Sequence, residues 1–279
     1  MRPNLFMPLG DPDKIESSYP YLYHYTSINA LCSILDTNQF WFGYTKNMND
    51  STDVVGFLHE ITYHLNRDFP IETPRKTEIL KLLAETEKKA HVYIMSFSGL
   101  EDDAAQWERY AEKATGVCLK LNTHVIAKIC EENNYWLKKV IYSYDDTSNY
   151  DYVCNYKQLA NYIENGFTYN NKSLSLIVFE LWLTGVYHKH PSFQSECEIR
   201  VAKYIHNNED EFVFSKSNTV KRMFVFDITK HGITFDKLID EIIIGPRSKQ
   251  AIDELKLYIE SKGYTELSNK IKYSSSPLR

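Results

Sequence analysis

Six residues near the start of the chain restrict its fold more than any other stretch. In Tyr21-Leu-Tyr-His-Tyr-Thr26, three tyrosines alternate with Leu22, His24 and Thr26. That is the period of two a strand imposes by sending successive side chains to opposite faces. Ser27 follows where a helix N-cap belongs, ahead of Ile28, Leu31, Ile34 and Leu35 at helical spacing. Asn38 closes this helix, and Gln39-Phe-Trp-Phe-Gly-Tyr-Thr45 reads as a second strand. A strand that runs through polar side chains into a helix N-terminus can hold a phosphate-bearing ligand. This junction is therefore the first candidate for a functional site.

The chain has 279 residues, 43% of them hydrophobic, enough for a substantial core. Glycine and proline are sparse, at 10 and 9, and no repeat or low-complexity linker divides the chain, so a single domain over 1–279 is expected. The formal net charge of -5 offers no global attraction to nucleic acid. No apolar run reaches the roughly 18 residues of a membrane span, and no signal peptide is read at the start. Five cysteines without CxxC spacing predict reduced thiols and a cytoplasmic protein.

Periodicity predicts helices over 52–67 and 74–90, the second rich in Lys and Glu and hence solvent-facing. His91–Ser98 reads as a strand with Ile94, Ser96 and Ser98 on one face. A short helix over 103–114 and a strand over 117–121 follow, separated by Thr115-Gly116. Next come a helix near 123–133, a strand near 136–143 and a loop over 142–153. A helical region spans 155–188, broken near Gly166 and Asn170-Asn171. Strands are expected at 195–204, 211–215, 221–227 and 241–245, then a helix over 248–261 and a short tail. Strands and helices mix without βαβ alternation, which predicts an α+β fold with a largely antiparallel sheet and surrounding helices. Neither a dinucleotide glycine fingerprint nor a P-loop is present.

The stretch Ser195-Glu-Cys-Glu-Ile-Arg-Val201 carries the most suggestive chemistry. As a strand it places Glu196, Glu198 and Arg200 on one face and Cys197, Ile199 and Val201 on the core face. Arg200 would keep a neighbouring glutamate ionised. A fixed carboxylate suits glycosidic cleavage through an oxocarbenium-like state, and one suffices when the leaving group departs neutral. The plain alternative is an ordinary ion-pair row on a half-exposed strand. His188-Lys-His190 lacks an acidic or cysteine partner, so no metal is expected.

Four stretches in order carry a family resemblance. They are Leu22–Ser27 with Ile34-Leu35, Phe40-Trp-Phe42 and Asn49-Asp50; Ser96-Phe-Ser98 with Gln106-Trp107, Tyr110-Ala111 and Gly116-Val-Cys118; Lys189 to Arg200; and Glu241-Ile-Ile-Ile-Gly-Pro246. Over residues 20–250 this order resembles the bacterial family known as domain of unknown function twenty-nine seventy-one. Ser51-Thr52 departs from the Pro and aromatic pair usual there. The pattern is also similar, more distantly, to the ADP-ribosyltransferase superfamily, with 52–90 and 155–188 as helical insertions. That resemblance implies an ADP-ribosyltransferase-like fold, NAD as substrate and no metal. It implies His24, Tyr25 and Thr26 on the NAD adenosine ribose and nicotinamide amide, and Ser96 and Ser98 beside the nicotinamide. Glu198 is implied as the catalytic carboxylate, Glu196 as the group facing the acceptor, and Arg200 as their anchor. The acceptor would be a macromolecule, RNA, DNA or protein, and the protein a toxin or anti-phage defence effector with a neutralising partner protein. Two other readings stand beside it: an NAD glycohydrolase, and a non-catalytic ligand-sensing or interaction domain.

Overall fold

A computed structural model describes residues 12–47, 53–142, 150–205, 212–216 and 219–278. The strands are β1 (Tyr21–Thr26), β2 (Gln39–Tyr44), β3 (His91–Ser98), β4 (Val117–Asn122), β5 (Trp136–Lys139), β6 (Glu198–Ile205), β7 (Phe212–Lys216), β8 (Val220–Asp227), β9 (Ile239–Ile244) and β10 (Ile271–Tyr273). The helices are α1 (Pro12–Ser18), α2 (Ile28–Thr37), α3 (Asp53–Asp68), α4 (Pro74–Lys89), α5 (Ala104–Tyr110), α6 (Thr123–Asn133), α7 (Tyr150–Asn165), α8 (Leu174–Gly185), α9 (Phe235–Leu238), α10 (Ile252–Ser261) and α11 (Thr265–Ser268).

One sheet carries the order β10-β9-β4-β1-β3-β2-β8-β7, with β6 on the other edge of β3 and β5 beyond β6. Every named pairing is antiparallel except that of β9 with β10. The fold is therefore α+β with a largely antiparallel sheet. The local signals at the start of the chain operate as their chemistry dictates. Ser27 Oγ accepts the Ala30 N–H at 2.9 Å, and Asn38 closes α2 in the left-handed region at φ 58°.

Both faces of the sheet are covered, and most residues of β3 and β6 are buried, the charged Glu198 and Arg200 among them. On one face Met95, Phe97, Ile199 and Val201 pack with Leu31 and Leu35 of α2, Ile129 of α6 and Ile259 of α10. On the other, Val92, Ile94 and Ala202 pack under Ile61 of α3, Leu83 of α4, Leu159 of α7 and Trp182 of α8. The Lys- and Glu-rich α4 is thus not simply solvent-facing. It buries Ile79 and Leu83, and also Lys76, whose Nζ donates to the Phe69 carbonyl at 2.9 Å and to Glu72 at 2.8 Å.

Other expectations shift at element ends. The predicted strand over 136–143 stops at Lys139, and the C-terminal helix begins at Ile252. The helical region over 155–188 is two helices separated by left-handed residues at Gly166, Asn170 and Asn171. The expected loop over 142–153 yields its end to α7, which starts at Tyr150, and 143–149 lie outside the described residues. A 3₁₀ turn over Thr45–Asn47 follows β2, and Asn49-Asp50 and the departure at Ser51-Thr52 lie outside the described residues. The tail is not featureless, because β10 adds a parallel strand to β9. Among the described residues no helix is long and apolar enough to cross a membrane. All five cysteines are free thiols, and burial pushes the Cys118 thiol well up.

Gly116, between α5 and β4, tests this packing. A Cβ there would lie 2.1 Å from the Thr26 carbonyl oxygen, a backbone atom that cannot step aside without disturbing the β1–β4 ladder. Gly116→Ala should lower stability by about 3 kcal/mol, at the upper end of overpacking costs. Gly263→Ala, where open space leaves only a left-handed φ of +88° to oppose the change, should cost about 1–2 kcal/mol. Urea midpoints of the two variants check the order.

Candidate active site

The sheet opens at its centre. Along one edge β3 is paired with β6 throughout, from His91 opposite Ile205 to Ser98 opposite Glu198. Along its other edge it meets β1 only at Tyr23–Ser98, and β2 only at Gly43–Ile94 and Tyr44–Tyr93. β1 and β2 therefore splay apart, and Met95, Ser96 and Phe97 face a gap. His24 closes it from β1. Its Nδ1 lies 3.3 Å from the Ser96 carbonyl, and its ring stands edge-on to Phe40 and Phe97. Burial lowers its pKa, against a smaller opposing effect of that carbonyl. The imidazole is neutral at pH 7. Since the carbonyl only accepts, Nδ1 carries the proton and Nε2 is left as an acceptor.

A cavity of about 300 Å³ occupies the gap. β1 contributes Tyr23, His24 and Tyr25; β2 contributes Trp41 and Gly43; and Ile94 to Ser98 form its floor. Gln106 and Tyr110 of α5 cover one end, where Lys189, Glu196 and Glu198 also enter.

Both glutamates are buried, but only one by strand pleating. Pro191–Glu196 is a 3₁₀ turn, Cys197 takes a left-handed φ of 45°, and β6 starts at Glu198. The expected strand from 195 is thus corrected: Glu196 reaches the cavity from the turn, and Cys197 is partly exposed, not a core residue. Glu198 and Arg200 do share a strand face, opposite Ser98 and Ser96, while Ile199 and Val201 face the core. The bland reading of a half-exposed ion-pair row does not hold, since Glu196, Glu198 and Arg200 are 3%, 5% and 1% exposed.

Such buried charges persist only when paired. Arg200 grips Glu198 with two N–H groups, Nε to Oε1 at 2.7 Å and Nη2 to Oε2 at 3.1 Å, and donates Nη1 to the Val186 carbonyl at 2.6 Å. Lys189 Nζ bridges the carboxylates, 2.7 Å from Glu196 Oε2 and 3.2 Å from Glu198 Oε2. Arg109 and Tyr110 donate to Glu196 Oε1 at 3.1 and 2.6 Å. The Glu196 backbone carbonyl accepts from Ser98 Oγ and Gln106 Nε2, fixing the turn to β3 and α5. Burial pushes the Glu198 carboxyl up, but the Arg200 guanidinium, Lys189 and the Ser96 hydroxyl outweigh it and hold the pKa at about 2. Burial lowers Lys189, and the two carboxylates more than reverse this, keeping it charged. Burial and the Glu196 carboxylate raise Tyr110, so its phenol stays protonated.

Of the residues singled out from the sequence, His24, Tyr25, Ser96, Ser98, Glu196 and Glu198 line one cavity. Thr26 and Arg200 do not line it. Thr26 ends β1 opposite Val117, and Arg200 lies behind Glu198. The cavity therefore sits at the middle of β1, not at the N-terminus of α2. Tyr25 is committed elsewhere: its hydroxyl donates to the Leu100 carbonyl at 2.8 Å and accepts the Asp103 N–H at 2.9 Å, and its ring packs edge-on against Trp107. Ser98 Oγ is likewise occupied, donating to Glu196 and accepting from Leu100. His188 and His190 face different partners, the Thr184 carbonyl and Ser192 respectively. Roles for Trp41, Gln106, Arg109, Tyr110 and Lys189 escaped the sequence reading. Nothing in their spacing says that α5 lies over a turn some 90 residues later.

Two measurements follow from this electrostatic arrangement. Arg200→Met should cost about 3–5 kcal/mol in urea unfolding, because it strands a buried carboxylate and the Val186 carbonyl. Glu198 has a folded pKa of about 2 against an ordinary 4.5, so its stabilising contribution is full above about pH 4.5 and is lost as pH falls towards 2. Urea midpoints followed from pH 7 to pH 3 should show this loss in the wild type, with a shallower fall in Glu198→Gln.

Residues 106–201 match the family model described as protein of unknown function (DUF2971). The matched segment holds Gln106, Tyr110, Lys189, Glu196, Glu198 and Arg200, and lies wholly after His24 and Ser96. No curated protein and no solved structure matches the chain.

Proposed function

We propose that the cleft cleaves the nicotinamide–ribose bond of NAD and transfers ADP-ribose to a macromolecular acceptor, nucleic acid or protein. The observation that carries this reading is Glu198, a buried carboxylate kept ionised by Arg200 and Lys189 on the wall of a cavity of about 300 Å³ that the neutral His24 also lines.

The chemistry asks little else of the protein. The bond from ribose C1′ to the nicotinamide nitrogen breaks with its electron pair going to the pyridinium ring, so nicotinamide leaves neutral and needs no proton. Positive charge appears on the ribose, and an anion already in place stabilises it more in the transition state than in the ground state. Glu198 supplies that anion and accepts from the ribose 2′-hydroxyl. His24 Nε2 accepts from a ribose hydroxyl of the adenosine half. The ring that stacks on nicotinamide is Tyr110 in preference to Tyr25, since Tyr110 is half exposed at the Glu198 end and Tyr25 is packed on Trp107. The acceptor oxygen or nitrogen then bonds to C1′ and gives up its proton to solvent at the open end of the cleft.

Glu196 is a poor base for that proton, because both its oxygens are held by Arg109, Tyr110 and Lys189. A second reading has water as the acceptor, its proton passing directly to neighbouring solvent, and makes the protein an NAD glycohydrolase. A test is nicotinamide release from NAD with and without RNA, DNA or protein. Glu198→Asp keeps the charge balance with Arg200 but withdraws the carboxylate by one methylene, and should slow release about 100-fold or more. Release that requires one acceptor class identifies a transferase. Acceptor-independent release identifies a glycohydrolase. No release and no NAD binding by the folded protein rejects both, leaving a binding pocket for another ligand.

A further inference from the structure

The cleft has a second wall that the chemistry at Glu198 does not use. Trp41 lines it from β2 and is 44% exposed. Among the described residues its indole makes neither a hydrogen bond nor a ring contact. Its surroundings are apolar: Val225 is its partner across the β2–β8 ladder, Met223 stands opposite Gly43, and Ile94 forms the adjoining floor. Gly43 brings no side chain to the space beside the indole. A large, flat, unpartnered ring in such a setting is a stacking platform for another flat ring.

The register gives its distance from the reacting centre. Glu198 lies one strand to one side of β3, level with Ser98, and Trp41 lies one strand to the other side, two residues past the Gly43–Ile94 pair, where β2 parts from β3. Two strand spacings and two residue steps separate their Cα atoms by at least roughly 12 Å. In the NAD reading, a ring bonded directly to the anomeric carbon at Glu198 is taken up by Tyr110 at that end of the cleft. A base carried on a second ribose, beyond a diphosphate, can reach Trp41.

We propose that Trp41 forms a distal subsite that stacks on the second base of a dinucleotide, so that the cleft selects dinucleotides over mononucleotides. The assignment of the near end to a reacting ribose rests on the NAD reading above; the stacking site itself rests on Trp41 and its setting.

The test is a set of equilibrium titrations of the folded chain with AMP, ADP-ribose and nicotinamide mononucleotide, none of which presents the dinucleotide's scissile bond together with its second base. Wild type, Trp41→Ala and Trp41→Phe are compared, alongside nicotinamide release from NAD by the wild type. Trp41→Ala should weaken AMP and ADP-ribose about 10-fold and leave nicotinamide mononucleotide unchanged, and Trp41→Phe should restore most of the loss. Unchanged AMP and ADP-ribose affinity in Trp41→Ala overturns the subsite while leaving NAD cleavage standing. Equal losses for all three ligands overturn it too, because Trp41 would then act on the reacting end or on the fold. Trp41-dependent AMP binding without nicotinamide release supports the subsite and rejects the NAD reading. Failure of the wild type to bind any of the three overturns the subsite.

Discussion

The pairing of Glu198 with Arg200 is the interaction on which the rest of the cleft depends. Two opposite charges on one strand face, two residues apart, are buried between the sheet and the end of α8. Their desolvation is expensive, and the two-point contact, the bond from Arg200 to the Val186 carbonyl and the Lys189 ammonium on Glu198 make the burial tolerable. A buried ion pair of this kind is weak evidence of stabilisation. It is better evidence of a requirement, because a hydrophobic pair of similar size would pack with less cost. What it secures is a carboxylate whose charge does not depend on pH near neutrality.

Lys189 and Glu196 extend this pair into a cluster that joins distant parts of the chain. Lys189 touches both carboxylates, Glu196 draws in Arg109 and Tyr110, and the Glu196 carbonyl holds Ser98 and Gln106. The turn before β6, the end of β3 and α5 are thereby fixed to one another. In this arrangement Glu196 is a positioning residue. Its oxygens are spent on holding α5 over the cleft, and the ring of Tyr110 is left facing it.

The gap between β1 and β2 supplies the space. A sheet normally satisfies each strand edge with a neighbouring backbone. Here the edge of β3 meets one strand near Ser98 and another near Ile94, and a histidine side chain bonds the carbonyl between them. The same residues that leave the opening therefore determine what lines it: polar atoms of Ser96 and His24 at the centre, carboxylates on one side and an exposed indole on the other.

The sequence by itself determined the local elements and their facing. Period-two alternation in Tyr21–Thr26, the Ser27 cap, the Asn38 stop and the shared face of Glu198 and Arg200 were all legible, because each depends on neighbours within a few residues. The strand drawn through Glu196 failed for a physical reason of the same kind. A left-handed Cys197 has no signature in a residue type that usually avoids that conformation. Only the tertiary structure decided that Tyr25 is spent on Leu100, Asp103 and Trp107, that Tyr110, Arg109 and Lys189 converge on Glu196, and that β1 and β2 part at Ser96. Apart from Lys189 and Glu196, seven positions apart, those contacts join residues tens of positions apart, and their free energies come from burial and charge pairing that exist only once the sheet has closed around them.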